Sequence, residues 1–200
     1  KLYRQRVPRP RLLEPILELS VGSDSPNMII EGDNLQVLAS LRSRYAGEVD
    51  VVYIDPPYNM GKEDFRYSDR RFRDPDADDN DAVYVTNEDG GRHTKWLNFM
   101  APRLFMLSDM MHERSVIFVS INDVELFRLG LLMDEIFGVE NFVSIIQFVK
   151  TSGLAASDRL STATDFLVWY SRDRKNLKYR QLYSPKDAQG EGLRPYNKIE

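Results

Sequence analysis

The 200-residue chain has no cysteine. That excludes a disulfide framework, a thiolate metal centre and a cysteine nucleophile, and it fits a reducing compartment, the cytoplasm. Histidine is nearly as scarce, at two residues. Nothing near His93 resembles a catalytic triad, and a lone histidine of this kind reads as structural. No apolar run approaches the ~20 residues of a membrane-spanning helix, and no signal-peptide pattern opens the chain, so no membrane association is expected. Positive charge is not in excess. The net charge is −4, so only a local concentration of basic residues would mark a nucleic-acid surface. A hydrophobic content of 42% beside 29% charged suits a globular chain with one sizeable core. The chain opens on Lys1 and stops at Glu200 in a charged, turn-rich stretch, which reads as a piece of a longer protein.

What is there is concentrated between Val49 and Asn59. Val51-Val52-Tyr53-Ile54 is a short apolar run rich in β-branched residues, the pattern of a buried strand in a parallel sheet. It stops at Asp55-Pro56-Pro57-Tyr58. Two prolines supply no backbone N–H, so neither strand nor helix continues through them. The expected result is a stiff turn at the carboxyl end of a central strand, where open α/β sheets bind ligands. It carries one carboxylate, undonated carbonyls and one aromatic ring.

Those groups suit methylation of an exocyclic amine on a nucleobase. Such a nitrogen is a poor nucleophile because its lone pair is delocalised into the ring. Two acceptors, one per N–H, hold it towards tetrahedral geometry, and the Asp55 carboxylate and Pro56 carbonyl are the candidates. Tyr58 can stack on the base face, a contact worth ~1–3 kcal/mol. A base in a duplex must first leave the helix to enter such a pocket.

Along the rest of the chain, residues 1–11 hold Lys1, Arg4, Arg6, Arg9 and Arg11 with no acid. They read as a flexible or packed-down basic arm, with phosphate contact as the sharper alternative. Leu12–Leu19 reads as a short helix limited by Pro15. Met28-Ile29-Ile30 reads as a strand, followed by a helix with Leu35, Leu38, Leu41 and Tyr45 at helical spacing. Asp33, three residues before Gln36, is a candidate N-cap. The acid-rich stretch from Arg70 to Arg92 lacks the glycine and terminal glutamate of a calcium loop. It reads as a long mobile surface loop that could close over a ligand. His93 leads into a helix whose Leu97, Met100, Leu104, Leu107 and Met111 form a core stripe, with a kink, or a helix beginning anew, expected at Pro102. Ser115–Ile121 is a second apolar strand. Asn122 and Glu125 are spaced as a capping box, and Gly138 ends the helix that follows. Phe142–Lys150 and Phe166–Tyr170 read as an antiparallel edge hairpin joined by a small-residue loop from Thr151 to Thr164. Beyond Arg172 the chain is basic and irregular. Alternating strands and helices of this kind predict an α/β fold with a doubly wound, mainly parallel sheet.

Asp55-Pro56-Pro57-Tyr58-Asn59 resembles the catalytic motif of the amino-methyltransferases that act on adenine N6 or cytosine N4. Gly32-Asp33-Asn34-Leu35, Thr94-Lys95-Trp96-Leu97-Asn98-Phe99-Met100, Val116-Ile117-Phe118-Val119-Ser120-Ile121 and Leu132-Met133-Asp134-Glu135-Ile136-Phe137-Gly138 are similar to the modification subunits of type III restriction–modification systems. This similarity runs roughly from Asn27 to Arg172. It implies a Rossmann-like methyltransferase fold, incomplete in this chain, and S-adenosyl-L-methionine (SAM) as cofactor. Its site residues would be Asp55, Pro56, Pro57 and Tyr58 for catalysis, with Asp33 and Asp55 towards the cofactor and no metal. Asn59 would buttress the turn. It further implies a basic arm at 1–26, a catalytic domain at 27–172 and the start of a target-recognition region at 173–200. Double-stranded DNA is the expected substrate, a restriction subunit the expected partner, and a homo-oligomer the expected assembly. Adenine N6 is favoured over cytosine N4, where a Ser-Pro-Pro-Tyr turn is commoner. RNA or protein glutamine targets usually carry an Asn-initial turn, and a catalytically dead DNA-binding module is the rival of a different class. No Phe-x-Gly-x-Gly occurs in the chain, although the fold normally uses a glycine-rich loop of that kind for the amino-acid end of SAM. In the permuted class of these enzymes that motif follows later.

Overall fold

The computed structural model describes residues 7–22, 25–61, 63–149 and 163–180. In chain order they form α1 (Asn34–Arg42), β1 (Val49–Ile54), β2 (Arg66–Tyr67), α2 (Asp69–Arg73), β3 (Val83–Tyr84), α3 (Arg92–Met110), β4 (Met111–Ile121), α4 (Leu126–Phe137), β5 (Phe142–Val149) and β6 (Thr164–Ser171). Four strands make one sheet in the order β1-β4-β6-β5, and β2 and β3 pair separately. β1 and β4 are parallel, in register from Val51 with Val116 to Ile54 with Val119. A parallel neighbour needs a long crossover, here supplied by the excursion at 61–91 and α3. β6 then pairs antiparallel with both β4 and β5. The fold is thus α/β with a mixed sheet, parallel where the Asp-Pro-Pro-Tyr turn emerges and closed by the expected hairpin.

The core lies where α3 and α4 cover the sheet. Val52 of β1 and Ile117, Val119 and Ile121 of β4 meet Trp96, Met100 and Leu104 of α3 and Leu129 and Met133 of α4. The β4 residues alternate, as a period of two requires. Burying each such side chain contributes about 1.5–3 kcal/mol. Several such burials together outweigh the ~3 kcal/mol penalty of a helical proline, and α3 runs continuously through Pro102 and does not begin anew there.

Several expectations differ from the structure. Met28–Ile30 forms no ladder, and Ile29 is fully exposed. β1 stands at the sheet edge, and among the described residues no strand pairs on its outer side. Leu12–Leu19 contains only a one-turn 3-10 helix, Leu17–Leu19, with no buried residue. The acidic segment is exposed along much of its length but is not an irregular loop, since it carries α2 and β3. It is folded in by Phe65, Tyr67, Ala82 and Val85, all buried, with Phe65 5.5 Å from the Phe99 ring. Its acids mostly pair within reach. Asp76 meets Arg9, Asp78 meets Arg70, Asp79 meets Arg71, Asp81 accepts from Ser68 and Asp89 meets Lys95. The described part of the basic arm lies over this excursion and α1, through Arg9 N to Asp76 at 2.8 Å and Arg11 N to Ser40 Oγ at 2.7 Å. Most of the small-residue connection before β6, and residues 181–200, lie outside the described residues. Among the described residues no helix is long and apolar enough to cross a membrane.

Candidate active site

β1 delivers Asp55 to its carboxyl end, and the parallel register with β4 brings Ser120 alongside. The Ser120 hydroxyl donates to Asp55 Oδ1 at 2.5 Å and lies 3.4 Å from the Ile54 carbonyl. A hydroxyl has one proton, so the shorter contact takes it. Asp55 remains exposed. It is neither buried nor matched with an arginine. Tyr58 is half-buried beside it. Burial raises the Tyr58 phenol above its ordinary value of 10; a hydrogen bond with Ser120 works against this, and Asp55 adds to it through a hydrogen bond and its charge. The phenol therefore stays protonated at neutral pH.

The two prolines cannot stiffen the turn with backbone N–H groups of their own. The Trp96 indole, fully buried in the first turns of α3, donates to the Pro57 carbonyl at 2.7 Å. The Pro56 carbonyl receives no donor from the described residues. Of the two consecutive carbonyls, one is held from within and one is left open beside the Asp55 carboxylate.

Asn59, which follows Tyr58, is 0% exposed and adopts a left-handed φ of 56°. Its side-chain amide donates to Glu125 Oε1, and His93 Nδ1 contacts the same oxygen at 2.5 Å. Glu125 is also 0% exposed. The spacing with Asn122 suggested a capping box. Instead α4 begins one residue after Glu125, Asn122 Oδ1 accepts from Val124 N, and the glutamate turns inward beneath the proline turn.

Asp33 caps α1: its Oδ1 accepts from Leu35 N and Gln36 N, both at 3.1 Å, and Arg71 lies 2.7 Å away. With Leu35, Phe72, Phe99 and Arg103 it lines a cavity of about 180 Å³. Burial lowers the Arg103 guanidinium to about 10, with Asp33 opposing the shift, so it remains a cation. Neither Asp55 nor Tyr58 lines this cavity, so the two carboxylates expected to face the cofactor do not share one enclosure. Among the described residues no group of three or more His, Cys, Asp or Glu is placed to hold a metal.

Three side chains around the turn were not legible as site residues. Ser120 offered a signal, as a hydroxyl inside an apolar strand. Trp96 and Glu125 offered patterns with ordinary explanations, a helix start and a cap.

A family model described as DNA methylase matches residues 49–198. The chain is 36% identical over 163 residues to the type III restriction-modification enzyme StyLTI Mod subunit of Salmonella typhimurium, a match covering 77% of this chain and 25% of that subunit. It is 41% identical over 133 residues to the EcoPI Mod subunit of Escherichia phage P1, covering 62% of this chain and 21% of that subunit. The chain therefore spans a quarter or less of the length of these relatives. Among solved structures it resembles the M1.HpyAVI–SAM complex, at 12% identity and a TM-score of 0.46, covering 78% of this chain and 60% of that one.

Proposed function

This chain belongs to the DNA methylase family, and from that premise we propose that it carries the catalytic corner of a SAM-dependent DNA adenine-N6 methyltransferase, the modification side of a restriction–modification system. The observation that carries the reading is the pair of acceptors left open at the end of β1. Asp55 is exposed and oriented by Ser120, and the Pro56 carbonyl takes no donor from the described residues while Pro57 is pinned by Trp96.

Asp55 and the Pro56 carbonyl each accept one N–H of the target amine and aim its lone pair. As the nitrogen gains a carbon it becomes cationic. The Asp55 carboxylate offsets that charge, accepts the proton the amine releases and, being exposed, returns it to solvent. Tyr58, kept neutral, stacks on the flipped base at no cost in desolvated charge. When bound, SAM supplies an electrophilic methyl on a sulfonium. The Asp33 carboxylate and the apolar rings around it would hold the nucleoside end of such a donor, while Asp55 lies outside that cavity. Among the described residues no glycine cradle is present for its amino-acid end. Holding the reactants in line is the main task, and positioning of this kind can supply on the order of several kcal/mol of a barrier.

In this reading residues 27–172 are the catalytic unit, 1–26 an arm and 173–200 the approach to target recognition. The substrate is double-stranded DNA in the cytoplasm, and the assembly is a homo-oligomer with a restriction subunit. The similarity to two type III Mod subunits supports the restriction–modification setting. Cytosine N4 would use the same acceptors, and the aspartate at position 55 favours adenine. Mass analysis of modified DNA separates them. In the full-length protein, Asp55→Ala is expected to abolish transfer of labelled methyl to DNA while DNA binding survives. Near-normal turnover by that variant would overturn the reading.

A further inference from the structure

Glu125 is a fully buried carboxylate with no place in the chemistry above. Its Oε1 takes the Asn59 amide and His93 Nδ1. Its Oε2 has no hydrogen bond and lies 3.7 Å from Arg128, which is itself bonded to the Val124 carbonyl at 3.0 Å. A buried, incompletely satisfied carboxylate costs stability unless it does something its neighbours need.

The network beyond it has a direction. Arg92 Nε, always a donor, faces His93 Nε2 at 3.4 Å. That nitrogen is therefore the acceptor, which leaves the proton on Nδ1, pointing at Glu125. Arg92 also bonds Asn87, whose side chain sits against Gly61. One carboxylate thus joins the residue that follows Tyr58, the start of α3 and, through Arg92, both ends of the acidic excursion. Asn59 holds a left-handed backbone, a conformation uncommon outside glycine that asparagine tolerates better than most residues.

We propose that Glu125 is a positioning residue for methyl transfer, clamping Asn59 so that Asp55, Pro56 and Tyr58 keep their catalytic arrangement, and tying that arrangement to the excursion through His93. It acts through Asn59 and touches neither substrate nor donor. The proposal rests on the function assigned above, and its test separates the two.

In the full-length protein, Glu125→Gln keeps size and the accepting oxygen but not the charge. The expected result is a kcat for labelled methyl transfer lowered about tenfold, the effect of one weakened charge-assisted hydrogen bond, with KM for DNA unchanged and thermal stability near that of the parent. Because Glu125 works through Asn59, the double variant Glu125→Gln/Asn59→Ala should be no slower than the slower single variant. Unchanged kcat, or fully additive losses, overturns the proposal. Should Glu125→Gln not fold, Asn59→Asp sets a second carboxylate against the first and is expected to lose more kcat than Asn59→Ala; an equal or milder loss overturns the proposal. A readout independent of catalysis is the 5-fluorotryptophan NMR signal of Trp96, assigned by its absence in Trp96→Phe. Trp96 reports on the Pro57 carbonyl, and the signal should move in Asn59→Ala and Glu125→Gln alike. If the parent protein transfers no methyl yet the signal moves, the functional reading fails and the clamp stands. An unmoved signal overturns the clamp.

Discussion

The Trp96 indole N–H meets the Pro57 carbonyl at 2.7 Å, so the helix that closes the acidic excursion holds the proline turn by its backbone. Two adjacent prolines remove two consecutive backbone donors from the turn. Its rigidity is imported from three separate elements: Trp96 on α3, Ser120 on β4 and Glu125 just before α4. Held this way, the corner keeps Asp55 exposed and leaves the Pro56 carbonyl without a donor among the described residues.

Trp96→Phe keeps most of the buried ring and removes the donor. Leaving a buried carbonyl unpaired costs about 1–3 kcal/mol, so thermal melts should show a lower Tm of that size, and methyl transfer should fall with it. A variant with unchanged Tm and turnover would mean that the turn does not depend on this bond.

Ser120→Ala removes the hydroxyl that orients Asp55. A hydrogen bond to a charged group is worth about 1.5–3 kcal/mol, so turnover with labelled donor is expected to drop by about tenfold or more. Ser120→Thr restores a hydroxyl at the same Cβ and should recover most of it. Equal rates for the alanine and threonine variants would remove Ser120 from the site.

Gly61→Ala tests the junction of turn and excursion. Gly61 has φ 72°, and a Cβ there would lie 2.3 Å from the Asn87 side chain and 2.7 Å from its backbone nitrogen. The second contact cannot be relieved by rotating a side chain. A loss of about 1–3 kcal/mol is expected, with faster amide exchange across 63–91 than elsewhere. Uniform exchange would show that the excursion is not anchored at Gly61.

Alkali should weaken the fold through its buried phenols. Burial, then a hydrogen bond to Asp134 and its charge, raises Tyr170 far above 10, and burial raises Tyr67 and Tyr58 as well. A phenol raised in the folded state contributes stability that is whole below the unfolded value of about 10 and is lost as pH climbs through the folded value. Tm should hold steady to about pH 9.5 and fall beyond pH 10. Tyr170→Phe loses the 2.8 Å bond to Asp134 and should start lower, with the gap to the parent narrowing as pH rises. Parallel curves would exclude Tyr170 as the source.

Legibility in the sequence followed locality. β1, its abrupt stop at Asp55 and the apolar β4 and β6 could be read because each is specified by adjacent residues. The stripe on α3 could be read for the same reason. The excursion could not. Its charges dominate the text, while Phe65, Tyr67 and Val85 arrive singly and acquire meaning only against α3. Met28–Ile30 has strand composition, but a strand is a relation with a neighbour, and no described strand pairs on the outer side of β1. Glu125 shows the limit most clearly. Its spacing from Asn122 is that of a cap, yet its partner Asn59 lies 66 positions earlier, and no local pattern reports such a meeting. Asp55 and Pro56 could be singled out from the sequence; the groups that hold the turn around them could not.

The seating of Phe65, Tyr67, Ala82 and Val85 bears on any attempt to exchange this region between relatives. A graft that swapped only the acids between Asp69 and Asp81 would leave those seats filled. One that cut at Asn59 and Arg92 would unroof Trp96 and Met100, and a dead chimera would then report a flooded interior, not a lost specificity.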